Sequence, residues 1–149
     1  MSLRIRAYRD EDLPDVSALW ERCGLLRDGS DPKTHIAQCR GSGRGKVFVA
    51  VRAGTTVASV MVGHDDVQGW LHYVAVEPEE RGRQLGRRMV RRAERWLRDQ
   101  HLPRVCLLVR EGEDGAVAFY ERLGYTGEPR YPNRARLKGG KLLTRVLDG

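Results

Sequence analysis

The stretch Trp70-Leu71-His72-Tyr73-Val74-Ala75-Val76-Glu77-Pro78-Glu79-Glu80-Arg81-Gly82-Arg83-Gln84-Leu85-Gly86 decides the fold, because the period of its apolar residues changes within it. Trp70 to Val76 reads as a strand, and after Pro78 a turn rich in Gly and Arg leads into a helix. Leu85, Met89, Val90, Ala93, Trp96 and Leu97 then form one apolar face, while Arg87, Arg88, Arg91, Arg92, Arg95 and Arg98 fill the other. Pro103 bounds this helix. Val105 to Val109 is a continuous apolar run suited to a central strand, and Gly115 to Leu123 is a helix closed by Gly124.

Working back from that stretch, Lys46 to Arg52 and Thr56 to Gly63 are β-branched-rich runs flanking Ala53 and Gly54, an antiparallel hairpin whose next strand is Trp70 to Val76. Leu3 to Tyr8 alternates apolar and basic residues, the period of a half-buried strand. Two helices lie between. The first is capped by Asp10 or Asp12, carries Pro14 in its first turn and ends at Gly24; the second has Asp31 as cap, Pro32 at its first position and an end near Cys39. Working forward, the tail from Arg130 to Arg145 holds six bases and no acids, with a last strand at Lys141 to Val146. Strands first, then strand, helix, strand, helix, give an α/β (α+β) mixed sheet with helices on both faces.

The chain of 149 residues is expected to form one domain, 1–149. Lys and Arg number 27 against 20 Asp and Glu, a net charge of +7, and only Lys33, Lys46, Lys138 and Lys141 are lysines. That excess points to an anionic partner. Apolar runs of five to seven residues are too short for a membrane span, which needs roughly 20. The N-terminus has no apolar stretch resembling a signal peptide, so a cytoplasmic protein without a membrane partner is expected. Cys23, Cys39 and Cys106 fit neither a disulfide framework nor zinc-ligand spacing, and His35, His64, His72 and His101 form no metal motif, so no metal is expected. The arginines lack interleaved aromatics, and nucleic acid is not expected as a partner.

On physics alone, the turn before the Arg-faced helix suits a phosphate. A helix N-terminus leaves about four N–H groups unpaired and carries partial positive charge. The alternative is a plain strand-to-helix turn. The run Val76 to Gly86 resembles the acetyl-CoA-binding motif of the GNAT N-acetyltransferases, Arg/Gln-x-x-Gly-x-Gly/Ala preceded by a strand and Val-x-Pro. Ala118-Phe119-Tyr120-Glu121-Arg122-Leu123-Gly124-Tyr125 resembles the family's second motif, in the family's order and spacing. Leu19 to Leu25 and Val60 to Asp65 are similar to the bacterial YpeA-type subgroup.

The resemblance implies a GNAT-like, mostly antiparallel twisted sheet of about six to seven strands, and acetyl-CoA as cosubstrate. It implies that Val74, Ala75 and Val76 line the pantetheine arm, that the Val74 N–H polarises the thioester carbonyl, and that Arg81, Gly82, Arg83, Gln84, Leu85, Gly86 and Arg87 hold the pyrophosphate. Tyr120 corresponds to the acid that protonates the departing thiolate, and His72 to a base acting through a water, with His64 and Tyr73 as weaker candidates. Three positions depart from the family pattern. Gln84 replaces the motif's first glycine, Leu108 stands where some relatives carry a glutamate base, and Glu113 stands where an asparagine commonly bonds the pantetheine arm. Cys106 is expected to be the only cysteine near the cleft.

The expected activity is direct acetyl transfer to a primary amine of a small molecule or protein. The alternative is a catalytically weak acyl-CoA-binding module, which Leu108 and Glu113 motivate. The family also allows a homodimer. Trp20, Arg22, Asp31, His64, Asp65 and Tyr131 are candidates for the acceptor pocket.

Overall fold

In a computed structural model the chain folds around one sheet; the structure describes residues 2–26, 29–110, 114–127, 136–137 and 140–147. The elements run β1 (Leu3–Ala7), a 3-10 turn (Asp10–Asp12), α1 (Leu13–Arg22), α2 (Pro32–Gly41), β2 (Gly45–Arg52), β3 (Thr55–His64) and β4 (Gly69–Val76). A second 3-10 turn (Pro78–Glu80) leads to α3 (Leu85–Asp99), β5 (Arg104–Arg110), α4 (Asp114–Arg122), β6 (Thr126–Gly127), β7 (Arg136–Leu137) and β8 (Gly140–Val146). The strand order is β1-β2-β3-β4-β5-β8-β6, with β7 paired to β8. All pairings are antiparallel except β4 with β5. The expected mostly antiparallel sheet is present, and among the described residues it also carries β6 and β7, two residues each and too short to show a hydrophobic period in the sequence.

Local chemistry sets these boundaries. Ala53 (φ +54) and Gly54 (φ +78) form the two-residue turn of the β2–β3 hairpin, whose twist requires positive φ at both positions. Asp31 caps α2, accepting from the Lys33 amide at 3.2 Å, and Pro32 occupies the first helical position. Asp12 precedes α1, yet its carboxylate does not cap the helix. It accepts a two-pronged bond from Arg6 at 2.7 and 2.9 Å, which holds its pKa below the ordinary aspartate value.

Helices cover both faces of the sheet. Leu85, Met89, Val90, Ala93 and Leu97 of α3 pack on Phe48, Ala50, Ala58, Val60 and Val62, a layer that α4 joins through Tyr120 and that Leu123 and Tyr125 extend beyond it. Opposite, Val16, Leu19, Trp20, Ile36 and Cys39 pack on Val47, Val49, Met61 and Ala75. Burial on both faces explains why β2 and β3 read as nearly unbroken apolar runs.

The arginine face of α3 is less uniform than its sequence suggests. Arg87, Arg88 and Arg95 are exposed, but Arg91, Arg92 and Arg98 are half-buried. Arg92 lies 4.2 Å over the Phe48 ring. Glu94, the one acid among these bases, is wholly buried, and its carboxylate accepts from Arg91 (2.8 Å), Arg145 (2.7 Å) and the Tyr125 hydroxyl (2.7 Å). One carboxylate therefore ties α3 to the chain after α4 and to β8.

Candidate active site

The seam between β4 and β5 creates the site. The two strands pair only at Gly69 with Val105 and Trp70 with Cys106, and beyond that they diverge. On the other side of β4 the Glu77 amide donates to the Val57 carbonyl at 2.8 Å. Antiparallel alternation then turns the backbone groups of Val76, and of Val74 two residues back, toward the gap.

A bulge shapes the same strand. Met61 pairs with His72 and Ser59 with Ala75, so Val60 alone faces Tyr73 and Val74, and Tyr73 adopts φ +52. A left-handed non-glycine residue costs roughly 1–2 kcal/mol, and its surroundings hold it there. The Tyr73 ring stacks on Trp20 at 3.8 Å, and its hydroxyl meets His35 Nδ1 at 2.5 Å. Trp20 Nε1 donates to Ser59 Oγ (2.8 Å), which donates to the Tyr73 carbonyl (2.9 Å). Trp20, expected in the acceptor pocket, is instead fully buried beneath Tyr73.

Two cavities flank the divergence. One, of about 870 Å3, is lined by Val74, Ala75 and Val76, by Arg81, Gly82, Gln84, Leu85, Gly86 and Arg87, and by α4 through Ala116, Phe119 and Tyr120. The other, of about 810 Å3, is walled by His35, Arg44, His64, Asp65, His72, Tyr73, Leu108 and Arg110. Both lie in the range of ligand sites. Leu25, Val74, Ala116 and Tyr120 line both, so the cavities meet beside the Tyr120 side chain.

The first cavity has the features an anion requires. The residue before α3, Gln84, makes no side-chain cap, which leaves the first-turn N–H groups to another acceptor. Gly82 has φ +84 and a clear space where a Cβ would stand. Gly86 faces Phe119 so closely that a Cβ would lie 3.2 Å from its ring. Gln84 itself has φ +60, the left-handed conformation that makes glycine the usual choice at this position. An open strand edge, a glycine turn and an uncapped helix start together suit an extended ligand that carries phosphate groups.

Not every expected residue joins them. Arg83 is absent from the lining and lies 3.8 Å from Glu80. Glu113 and Tyr131 lie outside the described residues. Arg22 pairs with Glu77 at 2.5 Å. The expectation about cysteine is corrected: Cys23 lines the first cavity, its thiol 3.4 Å from the Val76 carbonyl, while Cys106 bonds the Gly69 carbonyl at the seam. The sequence places Cys23 just past α1 but cannot show that this turn folds over β4.

In the second cavity, His72 presents an exposed ring within a concave wall. The crowding protein lowers its pKa below the ordinary histidine value by desolvation, and the positive charges of Arg110 and His35 push the same way. Burial raises the Tyr73 phenol, and Arg110 partly offsets this. His35, Tyr73 and Arg110 are the site residues that sequence reasoning undervalued. Only the position of Arg110, directly after the apolar run of β5, could have marked it.

Residues 8–125 match the model of the acetyltransferase (GNAT) family. The chain is 36% identical over 123 residues to the acetyltransferase SG1711 of Sodalis glossinidius (strain morsitans), covering 83% of this chain and 87% of that protein. An acetyltransferase from Streptococcus agalactiae 2603 superposes with a TM-score of 0.82 at 19% identity, covering 97% of this chain and 98% of the other. The PaiA N-acetyltransferase from Thermoplasma acidophilum, solved in complex with coenzyme A, superposes with a TM-score of 0.81 at 14% identity, covering 98% and 99%. At such identities the two structures show a shared fold.

Proposed function

Because the chain belongs to the acetyltransferase (GNAT) family, and so is an N-acetyltransferase, we propose that it transfers the acetyl group of acetyl-CoA directly to a primary amine. The observation that carries this reading is the meeting of two cavities at Val74 and Tyr120, one suited to a nucleotide thioester and the other to an acceptor. The PaiA neighbour's complex with coenzyme A supports the choice of cosubstrate. The similarity to the YpeA-type subgroup and a cytoplasmic setting belong to the same proposal.

Acetyl-CoA supplies an activated acetyl group. Arg81 and the backbone N–H groups of 82–87 bind its phosphates, the helix dipole of α3 adding favourable potential. The edge of β4 at Val74 and Val76 orients the pantetheine arm, and the Val74 N–H donates to the carbonyl oxygen where negative charge develops. His72, neutral at pH 7, takes a proton from the acceptor ammonium through a water. Tyr120 donates its phenolic proton to the leaving thiolate, whose acid has a pKa near 8.5 against about 10 for an ordinary phenol. Leu108 leaves the facing strand without a carboxylate for the same work.

Calorimetry with acetyl-CoA, followed by a CoA-release screen across amine classes, tests the reading. Binding and amine-dependent release are expected. Tight binding without release under any amine would favour an acyl-CoA-binding module, and absence of binding would remove the proposal.

A further inference from the structure

Resting on that reading, the acceptor cavity holds a cation, one of whose nitrogens the described residues leave without a hydrogen bond. Arg110 ends β5 and lines this cavity, and its Nη1 is buried without a hydrogen-bond partner among the described residues. Two other charged side chains of the wall have partners among the described residues. Arg44 pairs with Asp66 at 2.8 Å. Asp65 spends its Oδ1 on the amides of Val67 (2.9 Å) and Gln68 (2.8 Å).

Among the described residues, Nη1 of Arg92 and Nη1 of Arg104 are also buried without a hydrogen bond, though Arg104 is held by other contacts, and neither residue lines this cavity. Arg92 has the face of Phe48 beneath it. Arg110 therefore differs in place as well as in bonding. Its charge acts on two neighbours in the same wall, adding to the lowering of His72 and partly offsetting the rise of Tyr73, which places the guanidinium among the acceptor-cavity side chains. A buried guanidinium nitrogen without a partner is costly, and a ligand acceptor removes that cost.

We propose that Arg110 binds a carboxylate carried by the acceptor, so that the acceptor is a small amino acid whose amine reaches Tyr120 while its carboxylate meets the guanidinium. The planar fork of arginine matches a carboxylate's two oxygens. One uncommitted cation balances one negative charge, which favours a carboxylate over a dianionic phosphate. The arrangement also positions the amine, since a fixed carboxylate restricts where the neighbouring nitrogen can lie.

The test is CoA release measured with free amino acids and with the corresponding amino acid amides, which keep the amine and remove the charge. The expected result is a kcat/KM at least tenfold higher for some acid than for its amide, and loss of that ratio in Arg110→Gln. Arg110→Lys should restore part of it. Acetyl-CoA affinity, set in the other cavity, checks that the variants are folded. Equal use of acids and amides, a ratio that survives in Arg110→Gln, or acetyl-CoA binding with no turnover of either set would each overturn the inference. Failure to bind acetyl-CoA would instead overturn the proposed function.

Discussion

Tyr125 donates its hydroxyl hydrogen to Glu94 at 2.7 Å in a place where neither side chain reaches solvent. The contact keeps the phenol protonated, since burial and the facing carboxylate both push its pKa far above the ordinary value. The Tyr125 ring also meets Tyr120 edge to face at 5.6 Å. A carboxylate deep under α3 thus braces the residue placed at the junction of the cavities. Glu94→Ala is expected to cost about 3 kcal/mol, because it strips a buried hydroxyl and two arginines of their acceptor. Urea denaturation of the variant measures this, and a loss below about 1 kcal/mol would show the network to be dispensable.

Tyr120→Phe keeps the ring contacts and removes the acidic proton. The expected outcome is a fall in kcat of about 100-fold or more with acetyl-CoA affinity within twofold of the parent, following the usual worth of a positioned acid. Steady-state kinetics with calorimetry separates the two effects. A variant with parental turnover rules Tyr120 out as the acid.

The pH profile should report His72. Its folded pKa lies below the ordinary value through desolvation by the surrounding wall first and then the charges of Arg110 and His35, so the ring is neutral at pH 7. As a base it loses activity only when pH falls through that lowered pKa, and log kcat/KM should therefore stay level from neutrality down to below about 6.5 before falling. Arg110→Gln removes one depressing charge, and the acid limb should then move to higher pH. An unmoved limb would detach it from His72.

Gln84 tests the phosphate turn. Gln84→Gly relieves a left-handed side chain but loosens the unfolded chain, two effects of about 1 kcal/mol that oppose each other, so stability should change little. Gln84→Val, whose branched Cβ resists φ +60, should cost about 1–2 kcal/mol and weaken acetyl-CoA binding. Thermal denaturation and calorimetry on the pair decide it; equal behaviour of Gly and Val would mean that the turn's conformation does not matter.

The elements of the fold were legible because their signals are local. Asp31 with Pro32 marks the start of α2, and the switch from Val76 to Leu85 marks the change from strand to helix. Of the candidate site, the sequence marked the turn, Val74 to Val76, His64, Asp65, His72 and Tyr120 as positions, which line the two cavities. Glu94 sits among arginines and reads as a solvated charge, yet its partners Tyr125 and Arg145 are 31 and 51 positions away. Tyr73 reads as an ordinary strand residue because a bulge opposite Val60 leaves no mark in composition. Cys23 and Arg110 take their meaning from the divergence of β4 and β5, which is a property of two strands and not of either sequence. Arg83 shows the converse, a motif position whose side chain turns toward Glu80.

That divergence also bears on how the chain stays folded. Among the described residues, two residue pairs are all that join β1 through β4 to the strands beyond, so the hydrogen-bond ladder divides the sheet into two plates that share one core. A molecule that pairs with the open edge of β4 and rests on α4 is bonded to both plates, and it has no such partner in the unfolded chain. By mass action, acetyl-CoA at a hundred times its dissociation constant would add about 2.7 kcal/mol to the folded state. On the proposed reading the cosubstrate would join the two plates as an added member of the sheet, and the folded fraction would rise with its concentration.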